Sequence, residues 1–306
     1  MTTGRASLAA RTSALPADPL EADRTERMWR DWGGSGPMLH FAHANGFPPG
    51  TYRRFLEVLR SRHHVVSSEA RPLWSDHGAD RLRSWSQLTE DLRAELARRD
   101  LKGVLAVGHS LGAAMSLLAA AADPGLFRAV VAIDPILLTG VRARLWGVMK
   151  RTRLSGRLSL VRGTRARRVV WPDRRAALAA YSRKPLFRHW RPEVLEDYLA
   201  DGMVENPGGG VRLRYPPEWE ARIFEIAPHD LWPRLRRITA PTLVVRGARS
   251  DAFRPDAARR VGRELPGSLV VEIPGSTHLV PMERPEELGR VVLDFLQTAP
   301  QEGDGR

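Results

Sequence analysis

The sequence contains no cysteine among its 306 residues. Disulfide bonds, thiolate nucleophiles and cysteine-based metal sites are therefore excluded. The absence fits a reducing compartment, and we expect a cytoplasmic location. With 42% apolar residues, the chain is long enough for one large domain or for a domain that carries an insertion.

Long apolar runs are also lacking. Residues 1–22 have no continuous apolar core of signal-peptide length, and Arg5 and Arg11 flank the weak one that is there. We expect a flexible tail at 1–22 and a second, short tail at 299–306. The longest apolar stretch surrounds Ser110, and its two glycines and its histidine make it too polar for a membrane span. We therefore expect a soluble protein.

Acidic residues are nearly absent from one segment. Between Arg142 and Arg191 there are fourteen arginines and two lysines but a single acid, Asp173. This segment carries a net charge of +15 and the rest of the chain −2, against +13 for the whole sequence. No nucleic-acid-binding motif accompanies the arginines, so we expect no nucleic-acid partner. We expect a solvated face, and the alternatives are steering of anionic substrates or contact with a membrane surface.

What the sequence does have is an alternation of strand-like and helix-like runs. The strand-like runs are 37–42, 63–68, 102–108, 128–134, 241–247 and 268–275, and the helix-like runs are 51–61, 84–100, 111–122, 254–264 and 285–298. The alternation predicts an α/β fold with a mostly parallel central sheet covered by helices on both faces. Residues 137–235 interrupt it with helical fragments and no convincing buried strand. We therefore predict a core at 23–136 and 236–298 with a mostly helical insertion at 137–235.

The stretch "LAVGHSLGAAM" (105–115) places Ser110 between Gly108 and Gly112, where a strand-like run becomes a helix-like run. Glycine has no Cβ, so these positions allow the abrupt turn. In a parallel sheet, ligands bind outside the carboxyl ends of the strands, and such a turn lifts the serine hydroxyl into that crevice. G-x-S-x-G between a strand and a helix is the nucleophile-elbow pattern, which predicts Ser110 as a nucleophile.

A serine nucleophile needs a base, and His278 is the predicted one. It follows the last strand-like run in "IPGSTHLVPMERPEEL", where a proline and a helix start indicate a loop. The base needs a carboxylate that holds its tautomer. We favour Asp251, because its strand precedes the one that delivers His278 in the chain. Asp134 in "VAIDPI" is the competitor, expected instead to cap its loop ahead of Pro135.

The intermediate also needs N–H donors. One is the amide of Leu111, immediately after the serine. The second is expected in "FAHANGFPPG" (41–50), where Gly46 permits close approach and the amide of Phe47 is the predicted donor. Asn45 could contribute through its backbone or its side chain. The alternative is an ordinary Gly-Pro turn ahead of a helix.

Together, Gly46-Phe47-Pro48, the G-H-S-L-G pattern, Asp251 and His278, in that order, resemble the α/β-hydrolase superfamily, serine-hydrolase branch. The resemblance covers roughly 25–136 and 236–298, and the insertion falls where that superfamily carries a cap domain. The family's H-G-F-P appears here as H-A-N-G-F-P.

The resemblance implies hydrolysis of carboxylic esters through a Ser-Asp-His triad and an acyl-enzyme. Thioesterases, lactonases, carbon–carbon bond hydrolases, acyltransferases and perhydrolases share the serine, and a ligand-binding member of the fold is the non-enzymatic alternative. No metal or cofactor motif is present, and we expect neither group.

The segment 137–152 has an amphipathic helical pattern of apolar residues, which predicts a helix that roofs an acyl pocket with its arginines outward. The residues that we expect to line the pocket for a small-molecule ester are Asn45, His109, Leu138 and Leu145. We expect a monomer or a homodimer.

Overall fold

A computed structural model describes residues 28–265 and 267–298, so the tails predicted at 1–22 and 299–306 lie outside the described residues. Its main sheet has seven strands: β1 (Trp29–Gly33), β2 (Met38–Ala42), β3 (His64–Ser68), β4 (Val104–His109), β5 (Phe127–Ile133), and, after three short strands described below, β9 (Thr242–Gly247) and β10 (Leu269–Ile273). The strand order is β1-β3-β2-β4-β5-β9-β10. β1 is antiparallel to β3, and all other neighbours are parallel. The predicted α/β fold is confirmed.

The centre of the sheet shows why its strands are continuously apolar. All six residues of β4 are buried. Leu105 and Val107 belong to a hydrophobic core on one side of the sheet, and Val104 and Ala106 belong to a second core on the other. A strand covered on both faces has no solvent side, so the polar alternation of an exposed sheet is absent.

Helices cover both faces. They are α1 (Arg53–Leu59), α2 (Trp85–Arg98), α3 (Leu111–Ala122), α10 (Pro255–Glu264), α11 (Val280–Glu283) and α12 (Pro285–Gln297). The apolar residues of α1 and α12 join one core, and those of α2, α3 and α10 join the other. Among the described residues, no helix is both long and apolar enough to cross a membrane.

The insertion predicted at 137–235 is mostly helical, with α4 (Gly140–Arg151), α5 (Ser159–Arg165), α6 (Arg174–Ser182), α7 (Pro192–Gly202), α8 (Pro217–Glu225) and α9 (Trp232–Leu235). It also contains a small antiparallel sheet of β6 (Val170–Trp171), β8 (Val211–Leu213) and β7 (Met203–Glu205), in that order. The sequence pattern indicated no convincing buried strand here. Strands of two or three residues are too short to show a periodicity.

Polar contacts attach this segment to the core. Asp201 accepts hydrogen bonds from Arg30 Nη2 (2.8 Å) and from the Gly50 N–H (2.6 Å), and Arg214 Nη1 donates to Glu69 (2.8 Å). Burial acts to raise the pKa of Asp201, but the guanidinium groups of Arg214 and Arg30 outweigh it and the pKa is lowered. The end of α7 is therefore held against the loop that follows β2.

Candidate active site

Ser110 occupies a strained turn between β4 and α3. Its φ is 55° and its ψ is −110°, a backbone conformation that residues other than glycine rarely adopt. A Cβ on Gly108 would lie 2.6 Å from the Ala113 nitrogen, and one on Gly112 would lie 2.1 Å from the Ala42 carbonyl oxygen. Both glycines are therefore required for the backbone to pass at this point.

His278 lies on the loop between β10 and α11, and its Nε2 is 2.9 Å from Ser110 Oγ. The preceding residue fixes the loop, because the Thr277 N–H (2.7 Å) and hydroxyl (2.6 Å) both donate to the Glu283 carboxylate. The His278 side chain is 24% exposed, so part of the ring is accessible to solvent. The structure brings together the predicted nucleophile, Ser110, and the predicted base, His278.

The acid beside His278 is Asp134 and not Asp251. His278 Nδ1 is 2.8 Å from Oδ1 of Asp134, which is completely buried. The side chain of Asp251 is exposed, and its main-chain carbonyl accepts a hydrogen bond from Arg142 Nη1 (3.1 Å). The structure therefore corrects the prediction for Asp251: the competitor takes its place.

The physical reason lies in the sheet order. Asp134 directly follows β5, which lies beside β4, whereas β9 lies one strand further from the serine. A φ of 44° turns Asp134, and its carboxylate accepts from the Gly247 N–H (2.8 Å) and the Ser250 hydroxyl (2.5 Å). The last residue of β9 and the loop that follows it thus supply donors to the acid, and Asp251, the residue after Ser250, is exposed. Position at a strand end marked both aspartates, but order along the chain did not indicate which one reaches the histidine.

These contacts define where the protons lie. A carboxylate accepts hydrogen bonds, so His278 Nδ1 carries the proton that faces Asp134. The Nε2 of the neutral ring is then an acceptor, and the Ser110 hydroxyl donates to it. Such an arrangement can remove the serine proton and stabilise the imidazolium that forms.

Near Ser110, the backbone amides of Leu111 and Asn45 have no acceptor among the described residues. Leu111 is the first residue of α3, where an intrahelical acceptor does not exist. The Phe47 amide, the predicted donor, instead donates to the Ala44 carbonyl (3.2 Å) and closes a turn. The structure thus corrects the prediction for Phe47, and the free amide of this loop is that of Asn45.

The side chain of Asn45, predicted to line the pocket, is buried, and both of its polar ends bind the inserted segment. Its Oδ1 accepts from the Tyr215 hydroxyl (2.8 Å), and its Nδ2 donates to the Glu220 carbonyl (3.0 Å). A Cβ on Gly46 would lie 2.8 Å from the Glu220 carboxyl carbon. The insertion therefore presses directly on the loop that carries the free amide.

His109, predicted to line the pocket, is fully buried beneath the turn and has no exposed surface. Burial, and then the neighbouring His278, lower its pKa well below the usual range, so the ring is neutral. Its Nε2 donates to the His278 carbonyl (2.9 Å), and its Nδ1 accepts from the Tyr52 hydroxyl (2.8 Å). The Tyr52 oxygen in turn accepts from the Ala44 N–H (3.0 Å). This Tyr52–His109 chain links the loop after β2 to the backbone of His278.

The other two predicted pocket residues lie at the start of the insertion. Leu138 is half-buried, and its carbonyl accepts from Trp232 Nε1 (2.8 Å). Leu145 is 58% exposed, so it is not inside a closed pocket. The aromatic rings that cover the loop after β2 are those of Trp190 and Tyr198, centred 5.6 and 5.7 Å from the Phe47 ring.

Among the described residues, no three His, Asp or Glu side chains lie close enough together to hold a metal ion. The site is built from a serine, a histidine, a carboxylate and backbone amides.

Comparison with known proteins agrees with this geometry. A model described as the alpha/beta hydrolase family matches residues 41–291. The chain belongs to the alpha/beta hydrolase family. The match spans both predicted parts of the core and the insertion between them, and it includes Ser110, Asp134 and His278.

Individual relatives of this hydrolase are distant. The 2-(acetamidomethylene)succinate hydrolase of Mesorhizobium japonicum is 27% identical over 86% of this chain and 89% of its own length. A crystal structure of E-2-(acetamidomethylene)succinate hydrolase superposes with a TM-score of 0.71 at 23% identity, covering 90% of this chain and 97% of that one. The enol-lactonase from Burkholderia xenovorans LB400 gives 0.62 at 20% identity, covering 88% and 95%. At these identities the two structures show the shared fold.

Proposed function

We propose that the protein is a serine hydrolase of carboxylic esters that works through an acyl-enzyme on Ser110. The observation that carries the proposal is the hydrogen-bonded series Ser110–His278–Asp134, with a buried acid and a serine at a strained turn. A nucleophile, a base and an orienting carboxylate in mutual contact are what acyl transfer requires.

In the first half of the reaction, Ser110 Oγ attacks the ester carbonyl carbon as its proton passes to His278 Nε2. The carbonyl electrons move to the oxygen, and the amides of Leu111 and Asn45 donate to that oxyanion. Collapse of the intermediate breaks the bond to the alcohol oxygen, which takes the proton from His278. Asp134 accepts from Nδ1–H throughout and stabilises the imidazolium.

In the second half, water attacks the acyl carbon and gives a proton to His278. Collapse of this second oxyanion releases the carboxylic acid and breaks the bond to Ser110 Oγ, which recovers the proton. The groups are therefore restored after each turnover, and no cofactor takes part.

The substrate class is expected to be small to medium carboxylic esters, because the aromatic rings of Trp190 and Tyr198 cover the loop beside the serine. Relatives named for a succinate derivative and for an enol-lactone show that the same fold serves other acyl compounds. Thioester, lactone and carbon–carbon bond hydrolysis, and acyl transfer to another acceptor, use the same three residues.

A fluorophosphonate probe tests the nucleophile. We expect the purified protein to be labelled and Ser110→Ala to remain unlabelled. Labelling that persists in the variant would overturn the assignment, and an unlabelled wild-type protein would favour a ligand-binding member of the fold.

A panel of p-nitrophenyl esters of increasing acyl length, beside an acyl-thioester and a lactone, tests the substrate class. We expect turnover of the shorter esters. Fast thioester or lactone turnover with slow ester turnover would contradict it.

A further inference from the structure

Helix α4 exposes an apolar stripe. Val141, Leu145 and Val148 are 76%, 58% and 56% exposed. Their spacing of four and three residues places them on one side of the helix. Three neighbouring large apolar side chains on one exposed face differ from the scattered exposed residues that are normal on a surface.

The opposite side of α4 contacts the rest of the protein, and these contacts keep the apolar stripe exposed. Trp146 Nε1 donates to the Ala227 carbonyl (2.7 Å), and Lys150 Nζ donates to the Ile226 carbonyl (3.1 Å). A Cβ on Gly147 would lie 3.0 Å from the His229 ring. These contacts direct the apolar stripe away from the protein, which contradicts the predicted helix whose apolar side roofs a pocket.

The charge around the stripe has one sign. Residues 135–172 contain ten arginines and lysines and no acid. Arg144 and Arg151 lie next to the stripe on the helical wheel, are exposed, and have no carboxylate partner among the described residues. We call Val141, Leu145, Val148, Arg144 and Arg151 the basic apolar surface.

The same combination continues along the chain beyond this surface. The further exposed residues are the apolar Leu154 and Leu160 and the basic Arg153, Arg157 and Arg162.

We propose that the basic apolar surface docks the protein on an anionic lipid bilayer. A helix that lies in a membrane interface presents apolar side chains toward the acyl region and arginines toward the headgroups. Arginine near an anionic leaflet is attracted to it, and apolar side chains gain from leaving water. A second copy of this chain would bring two strongly positive segments together, which disfavours self-association through this face.

Vesicle co-sedimentation of the full chain tests the proposal. We expect the protein to sediment with phosphatidylcholine vesicles that contain phosphatidylglycerol and to stay in solution with phosphatidylcholine alone. R144Q/R151Q should weaken the partition by about fivefold for each arginine. L145S/V148S should weaken it without a change in net charge. The measurement needs no turnover, so Ser110→Ala protein serves equally well and the result is independent of the proposed reaction.

The matched control is R259Q/R263Q, which removes the same charge from exposed arginines of α10. We expect this variant to bind as the wild type does. Equal weakening by the control would show a nonspecific effect of net charge and would overturn the proposal. Absence of vesicle binding, or tighter binding to duplex DNA that L145S/V148S leaves unchanged, would also overturn it.

Discussion

The two sides of the candidate site are built differently. On the sheet side, Ser110, His278 and Asp134 are held by one another and by backbone groups, and the acid accepts from three donors. On the side of the insertion, Trp171 Nε1 and Trp190 Nε1 are buried and have no acceptor among the described residues. One side is a satisfied polar network, and the other is an aromatic cluster with unused donors.

The two sides of the site are therefore held in place by different interactions. A fully satisfied buried network has one low-energy arrangement, which suits groups that must meet within hydrogen-bond distance. Aromatic side chains are held mainly by packing, which constrains their polar atoms less closely than a hydrogen-bonded network does. The polar network thus holds Ser110, His278 and Asp134 in contact, whereas the aromatic rings of Trp190 and Tyr198 pack on Phe47 in the loop after β2.

The largest expected effect comes from the acid. Asp134→Asn should lower kcat by about 10⁴-fold, since the amide no longer stabilises the protonated His278 or holds the right tautomer. Steady-state kinetics with a p-nitrophenyl ester measures it.

Asp251→Asn is the matched control, because Asp251 also follows a core strand but has an exposed side chain. It should keep nearly full activity. A reversal of the two results would show that the acid acts from the loop after β9.

The buried histidines of the core should make the free energy of unfolding depend on pH. Burial lowers the pKa of His40 to about 3 and that of His43 to about 4, below the value of about 6.5 that an unfolded chain shows. Between these values the unfolded chain binds more protons than the folded one, so stability is complete above pH ~6.5 and falls as the pH drops. Each histidine should lower the free energy of unfolding by about 1.4 kcal/mol per pH unit within its window.

Urea unfolding at several pH values measures this slope. His40→Gln should make it shallower, because the variant lacks one of the two buried histidines. An unchanged slope in His40→Gln would contradict the idea that the core buries neutral histidines.

A smaller effect is expected from the Tyr52–His109 chain. Tyr52→Phe leaves the Ala44 N–H and His109 Nδ1 buried and unpaired, at about 1–3 kcal/mol for each group. Because His109 Nε2 holds the His278 carbonyl, we expect kcat to fall and KM to change little.

Trp232→Phe is the comparison on the insertion side, since it removes a buried donor to the Leu138 carbonyl. It should lower stability but preserve kcat. Equal kcat losses in the two variants would make the Tyr52–His109 chain a purely structural feature.

Much of the sheet side follows from the sequence, because strand and helix periodicities and the G-x-S-x-G turn are local patterns. The position of Ser110 depends on glycines two residues away on either side, and that of His278 on a loop at a strand end. The acid depends instead on which strands are neighbours in space. The choice between Phe47 and Asn45 depends on a single turn hydrogen bond, which the sequence does not reveal.

The insertion is harder to predict for a related reason. An amphipathic pattern in α4 shows that one side of the helix is apolar, and burial of that side is the usual inference. Here the contacts of Trp146 and Lys150 fix the other side against the protein. The tertiary contacts that decide this come from residues about eighty positions away in the chain, beyond the reach of a helical pattern.

The smallest expected effect is that of salt on catalysis. The Debye length shrinks from ~10 Å at 0.1 M to ~3 Å at 1 M, so any steering of substrate by the arginines would weaken across that range. Arg144 and Arg151 are exposed and lie beside the exposed apolar stripe of α4. We therefore expect kcat/KM for a charged and for a neutral soluble ester to respond alike to salt. A fall in kcat/KM with salt that is confined to the charged ester would show that the arginines attract substrate. The basic apolar surface would then contribute to catalysis and would not be separate from the candidate active site.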